Sequence, residues 1–344
     1  MEKAVIVIMF VVLLGVALYA LPFFVTAPTG VSRALGVGVI AVGTDSGISF
    51  TPASVHAPRN PDITVIDSQP EEGLLFAGST GGLLVSRDGG KNWYQWSDLE
   101  KQVDDGTVIY DLARNPSRPR EVYVAAFRRN EGVIYRTDNN FFTLTKVWDA
   151  QEKAPYALAV DGAHLYFGLS DGRVMRYRFT DGKFEGLSAL GSPVVDIDVR
   201  GNGATLYAAT KSRGIFASFD GGRTFAQLKG DLSSYPGALK MTAVAPDASA
   251  ANRVYAASLS GLLRSDDAGD SWVVISSVIT PGSPVSALEV RSDGRIFAAS
   301  GEKLYISDDR GTTWRIATPL PNGRTLSAIK VFNDGTIVVG TAAE

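Results

Sequence analysis

The chain has 344 residues, 45% hydrophobic and 20% charged, a globular balance that excludes bulk disorder. A formal net charge of -3 excludes a whole-surface nucleic-acid binder. The absence of cysteine excludes disulfides, Cys-ligated metals, thiol catalysis and a lipidated Cys anchor.

The amino terminus carries the first element. Ala4 to Val25 contains no charge, and as a helix it would span roughly 33 Å, enough for a bilayer core of about 30 Å. The competing reading is a cleaved signal peptide, with Ala17-Leu18-Tyr19-Ala20 as a weak cleavage site. The run is longer than a signal core and continues past that site, which favours a retained anchor. Lys3 and the terminal amine favour an inside amino terminus, so the rest of the chain is expected on the extracytoplasmic side of a membrane. The expected organisation is an anchor over 1–25, a linker over 26–35 and one repeat domain over 36–344.

Beyond residue 36 the sequence repeats. Four segments share the pattern Ser-x-Asp-x-Gly-x-x-aromatic: Ser86, Asp88, Gly90 and Trp93; Ser218, Asp220, Gly222 and Phe225; Ser265, Asp267, Gly269 and Trp272; Ser307, Asp309, Gly311 and Trp314. Each follows a short apolar strand. The step from Ser86 to Ser218 equals three steps of 44 residues, so two degenerate repeats are expected between them. Val133 to Asn140 and Val174 to Phe184 fill those places; the first lacks the glycine and the final aromatic, and the second is looser still. Two earlier strands precede each box, as in Met241–Ala245 and Arg253–Ser258, and one follows it. Four strands every 40–50 residues are the mark of a β-propeller. The last unit divides between the termini: Thr325 to Thr341 supplies two strands, and Ala41 to Phe50 aligns with Phe76 to Val85. Both ends then offer a second-strand motif. Seven four-stranded blades closed by both termini are expected; six plus an accessory hairpin, or eight, are the alternatives.

The repeated residues suit a structural turn. Asp and Ser side chains satisfy backbone N–H groups, Gly takes a conformation closed to other residues, and the aromatic buries a large face. The boxes resemble the BNR, or Asp-box, repeats of sialidase-like, sortilin-like and photosystem II assembly-factor-like propellers, over roughly residues 36–344. The resemblance implies the propeller fold, with boxes at the periphery, away from the functional face. It does not supply an active site. No Arg-Ile-Pro-like motif precedes Ser86, and Arg315-Ile316-Ala317 lacks the proline.

Asp111, Asp196, Asp198 and Glu289 fall on predicted inner strands, where a glycoside-hydrolase pair of carboxylates could form; solvated or arginine-paired channel residues are the preferred reading. His56 and His164 make no metal-ligand pattern. No catalytic residues, cofactor or metal are therefore assigned. Arg128 and Arg129, at one end of a predicted strand, and Tyr235 and Pro236, in a long loop between units, are the candidate partner-binding residues. The expected function is a non-enzymatic protein-binding scaffold, assembly factor or accessory subunit of a membrane or cell-surface complex. The alternative is a surface glycan-binding or glycoside-hydrolase propeller.

Overall fold

Apolar runs bounded by glycine turns fold here into antiparallel four-stranded sheets, because each run has one face to bury on either side. The computed structural model describes residues 40–44, 49–69, 73–98, 100–201, 203–228, 230, 232–275, 283–320 and 323–343. The apolar run Ala4 to Val25 and the linker to residue 35 lie outside the described residues, among which no helix is long and apolar enough to cross a membrane. The described residues all fall in one compact unit, Leu35–Glu344.

Seven sheets form seven blades. From inner to outer strand, blade 1 is Ile63–Gln69, Leu74–Ser79, Gly82–Ser86 and Asn92–Trp96. Blade 2 is Val108–Asn115, Arg118–Arg128, Glu131–Thr137 and Thr145–Gln151. Blade 3 is Pro155–Val160, His164–Leu169, Arg173–Arg178 and Lys183–Ala189. Blade 4 is Val194–Arg200, Thr205–Thr210, Gly214–Ser218 and Ala226–Gln227. Blade 5 is Met241–Pro246, Val254–Ser258, Gly261–Ser265 and Val273–Val274. Blade 6 is Ala287–Val290, Ile296–Ser300, Lys303–Ser307 and Arg315–Ala317. Blade 7 is Thr325–Val331, Thr336–Ala342, Ile40–Thr44 and Phe50–Pro52. Each inner strand packs against the inner strands of both neighbouring blades, and blade 7 meets blade 1.

The conflict between the termini resolves as two strands from each. Ile40–Thr44 pairs with Thr336–Ala342, placing Ile40 opposite Gly340 and Thr44 opposite Thr336. It is the third strand of blade 7, one place outward from the alignment with Phe76. Second and third strands are both short apolar runs beside glycine, so local similarity cannot tell them apart. The segment from Pro52 to Pro61, which carries His56, adds a strand to the neighbouring blade. Its residues Ser54–His56 run parallel to Asn92–Trp96 as a fifth strand outside blade 1. His56 stacks on Tyr94 there, with ring centroids 4.7 Å apart.

Two positions of the second strand recur around the ring. One is aromatic in six blades: Phe76, Tyr123, Tyr166, Tyr207, Tyr255 and Phe297, all buried, with Val338 in the seventh. Two residues on stands Gly78, Ala125, Gly168, Ala209, Ala257, Ala299 or Gly340. Each is paired with an inner-strand residue, and in six of the seven blades that pair flanks a shift in register. The glycines among them admit a residue at the start of the next blade's inner strand. A Cβ on Gly168 would lie 2.4 Å from Val194 Cγ1, and one on Gly340 would lie 2.4 Å from Ile63 Cγ2. The aromatic fills the blade interface, and the small residue lets neighbouring blades approach.

The four boxes share one bonding scheme. Gly90, Gly222, Gly269 and Gly311 donate their N–H to the box Ser Oγ at 2.7–2.9 Å, and that hydroxyl donates to the Asp Oδ1. The same Oδ1 accepts the N–H of the fourth residue after it: Asn92, Thr224, Ser271 or Thr313. Indole Nε1 of Trp93, Trp272 and Trp314 donates to the box glycine carbonyl. Hydrogen bonds, led by those from Thr224, Ser271 and Thr313, hold Asp220, Asp267 and Asp309 down to about 2.

The degenerate repeat of blade 2 reproduces this scheme with other residues. Thr137 Oγ1 accepts the N–H of Phe141 at 3.1 Å, and Asn139 Oδ1 accepts that of Thr143 at 3.0 Å. Phe141 stands where the boxes have glycine, at φ 65°, and its buried ring packs 4.4 Å from that of Phe76 in blade 1. The missing box aromatic is thus supplied from the glycine position.

Candidate functional site

Strands that alternate in direction divide the loops between two faces. Loops joining inner to second strands, and the box loops, lie on one face. Loops joining second to third strands, and the inter-blade linkers, lie on the other. The inner strands run in one direction around the axis, and their polar residues serve first to fasten one blade to the next.

In four blades a hydroxyl near the start of the inner strand reaches a carbonyl of the following blade. Thr64 Oγ1 donates to Ile109 O, Thr242 Oγ1 to Val285 O, Ser286 Oγ to Leu326 O, and Ser327 Oγ closes the ring on Ile63 O. Elsewhere carboxylates do this. Asp111 Oδ2 accepts the N–H of Leu158 at 2.7 Å, and Asp196 Oδ2 that of Val244 at 2.8 Å. Their other oxygens accept Leu112 N–H and Ile197 N–H. Glu289 accepts the N–H of Val331 and faces Lys330, while Arg114 pairs with Asp67 at 2.5 Å. Arg200 donates to the carbonyls of Asp247, Ala250 and Ala251 in blade 5.

Among the described residues, the inner-strand carboxylates Asp111, Asp196 and Asp198 of blades 2 and 4 have no arginine or lysine bonded to them. Each is half-buried. Burial pushes Asp111 up to about 8, against its two amide hydrogen bonds, with Asp196 adding to the rise. Burial pushes Asp198 up to about 7 and Asp196 up to about 6. Burial also raises Glu289, and Lys330 opposes that rise.

The signs give a pH dependence. Raised carboxyls bind protons more tightly in the folded protein, so their contribution is full below about pH 4 and is lost as pH climbs to about 8. Depressed box carboxyls contribute above about pH 4, and that contribution is lost as pH falls toward about 2. The melting temperature is therefore expected to peak near about pH 4–5 and decline toward pH 8. Asp111→Asn should flatten the alkaline decline in a calorimetric pH series; an unchanged slope in the variant would remove Asp111 as its source.

The four residues singled out for partner binding are not equivalent. Arg128 donates to Lys101 O at 2.7 Å and pairs with Asp104, so it clamps the linker between blades 1 and 2. Tyr235 is half-buried against the core of blades 4 and 5. Its loop forms a 3-10 turn, Leu232–Ser234, and Ser260 Oγ donates to Pro236 O. Arg129 and Pro236 are exposed, and by strand direction both lie on the linker face. Arg118 and Arg120, at the other end of their strand, lie on the box face; Arg118 pairs with Glu121 and sits 5.8 Å over the Phe179 ring.

A cavity of about 370 Å³ lies on the box face between blades 3 and 4. His164, Tyr166 and Arg176 form its blade 3 side, and Phe219, Gly221 and Arg223 its blade 4 side. The sequence does not advertise it, because its residues come from four separate segments. The available signal was Phe219, an apolar residue at a box position that holds Arg87, Asp266 or Asp308 elsewhere. Among the described residues no group of three His, Cys, Asp or Glu side chains could hold a metal ion.

No protein-family profile and no curated protein match the sequence. Solved structures do share the fold. YCF48 bound to a D1 peptide superposes with a TM-score of 0.64 at 14% identity, over 90% of this chain and 99% of that one. YCF48 from Cyanidioschyzon merolae gives 0.62 at 14%, over 87% and 98%. The GH74 enzyme of Niastella koreensis gives 0.63 at 16%, over 81% of this chain and 51% of that one. The chain thus spans about half the length of that enzyme. At such identities the likeness shows the seven-bladed fold alone.

Proposed function

We propose that the chain is a protein-binding scaffold, held at a membrane by its amino-terminal apolar run with the propeller on the extracytoplasmic side. The observation that carries this reading is the use of the inner-strand polar groups. Asp111 and Asp196 each give both oxygens to backbone amides, and Glu289 and Asp67 face basic partners, so these side chains work as fasteners of the ring. A rigid ring leaves its loops free to differ, which suits recognition. Further support comes from the near end-to-end likeness to a propeller solved with a peptide and from the resemblance of the boxes to Asp-box repeats. The linker face, with exposed Arg129 and Pro236, is the preferred docking side.

The test is purification of the full-length protein from its native membrane in mild detergent, with mass spectrometry of co-purifying proteins. A stoichiometric membrane protein is expected, and Arg129→Glu combined with Pro236→Asp should release it. Recovery of the propeller alone sinks the scaffold reading. One observation favours the glycan-processing alternative: the raised carboxyls of Asp111 and Asp198 suit a general acid. Hydrolysis of a β-glucan that is lost in both Asp111→Asn and Asp198→Asn would replace the scaffold with that reading.

A further inference from the structure

The cavity between blades 3 and 4 exists because of what its box loop lacks. In blade 6 the fourth box residue is Arg310, whose Nε donates to Ser249 of blade 5 at 3.3 Å and whose carbonyl accepts from Tyr255. In blade 4 the same position is Gly221, at φ 75°, facing Tyr166, the blade 3 counterpart of Tyr255. The arginine that fills the space at one interface is absent from the other. Gly203 extends the opening, since a Cβ there would meet Asp161 Oδ2 at 2.2 Å.

The wall is chemically specific. Phe219 is 57% exposed, braced edge-on by Tyr207 with ring centroids 6.2 Å apart, and presents a flat apolar face beside the cavity. Arg223 is exposed and has no ion pair or side-chain hydrogen bond among the described residues. Arg176 is fixed by Glu185 at 2.6 Å and by the carbonyl of Gly221 at 3.0 Å. Asp161 holds His164 Nδ1 at 3.0 Å, leaving Nε2 without a partner among the described residues. Asp220 also lines this wall, and its carboxylate is held in the turn by Ser218 Oγ, Thr224 N–H and Thr224 Oγ1.

We propose that this cavity binds a small ring-bearing carboxylate, with the carboxylate at Arg223 and Arg176 and the ring against Phe219. Guanidinium groups recognise carboxylates through paired N–H donors, and an exposed aromatic face accepts either the C–H face of a sugar ring or an aromatic ring. The volume lies in the range of small-molecule sites, and the cavity is an open depression between two blades, of a size that suits a compact ligand better than an extended peptide. The site lies on the box face, opposite the proposed docking face, so the two readings stand or fall separately.

The experiment is isothermal titration of the full-length protein with glucuronate, benzoate, glucose and inorganic phosphate. Variants Phe219→Ser and Arg223→Gln change exposed side chains, so their melting temperatures should match the parent. Binding of glucuronate or benzoate is expected, weakened about tenfold or more by either variant. Glucuronate alone would assign a sugar acid, and benzoate alone an aromatic acid. Equal binding of phosphate overturns the role of the ring, and equal binding of glucose overturns the role of the charge. No binding of either carboxylate at about 10 mM, or binding indifferent to both variants, overturns the site.

Discussion

Substituting Gly340 by leucine is expected to open the ring. A Cβ at this position lies 2.4–2.5 Å from the Ile63 side chain, a β-branched residue on the inner strand of blade 1 that has little freedom to turn away. Overpacking in an interior costs about 1–3 kcal/mol where neighbours can shift. Here the clash falls between blades 7 and 1, the one interface where the chain ends meet. Gly168→Leu makes the matching clash with Val194 between blades 3 and 4, which the chain joins directly. Both variants should lose stability in a denaturant titration, and the Gly340 variant should also elute as a larger particle in size-exclusion chromatography. A Gly340→Leu protein melting within about 2 °C of the parent would show that the seam is not close-packed.

The second large effect is expected at Phe141. Its backbone lies in the left-handed region, which costs a non-glycine residue about 1–2 kcal/mol. Its buried ring repays that by packing on Phe76 and Trp96 across the blade 1–2 interface. Phe141→Gly restores the box residue and relieves the backbone, yet it removes a buried ring whose loss alone costs about 3–5 kcal/mol. A net loss of about 2–3 kcal/mol is expected in urea unfolding. A gain in stability would mean that the strain outweighs the packing.

Phe141 also shows where the sequence stops being legible. The four full boxes could be read because all their bonding groups stand at fixed spacing. In blade 2, threonine, asparagine and phenylalanine supply the same bonds and the same buried volume, so no single position advertises the turn. The aromatic and small residues of the second strands, as in Tyr207 with Ala209 and Tyr255 with Ala257, were visible as a repeat. Their role was not, because it depends on contact with the next blade. The inner-strand acids were found at their correct places, but only the register between blades reveals that Asp111 and Asp196 bond to Leu158 and Val244. Arg128 and Tyr235 read as candidates for partner binding; one is drawn to the linker at Asp104 and the other onto the core of blades 4 and 5. Strand order at the termini failed for the same reason, since short apolar strands look alike until they are paired.

Ile40–Thr44 has a mechanical consequence. It lies between Thr336–Ala342 on one side and Phe50–Pro52 on the other, and its ladder bonds run across the strand direction. Tension entering the chain ahead of Ile40 and drawn along the strand loads those bonds in shear, all at once, in place of peeling them one by one. Extracting the strand also uncovers the apolar flank of blade 1, where Ile40 packs with Ile63 and Trp93. A propeller tethered at this end would thus carry load through a join that resists in shear, and would yield by losing the ring as a whole.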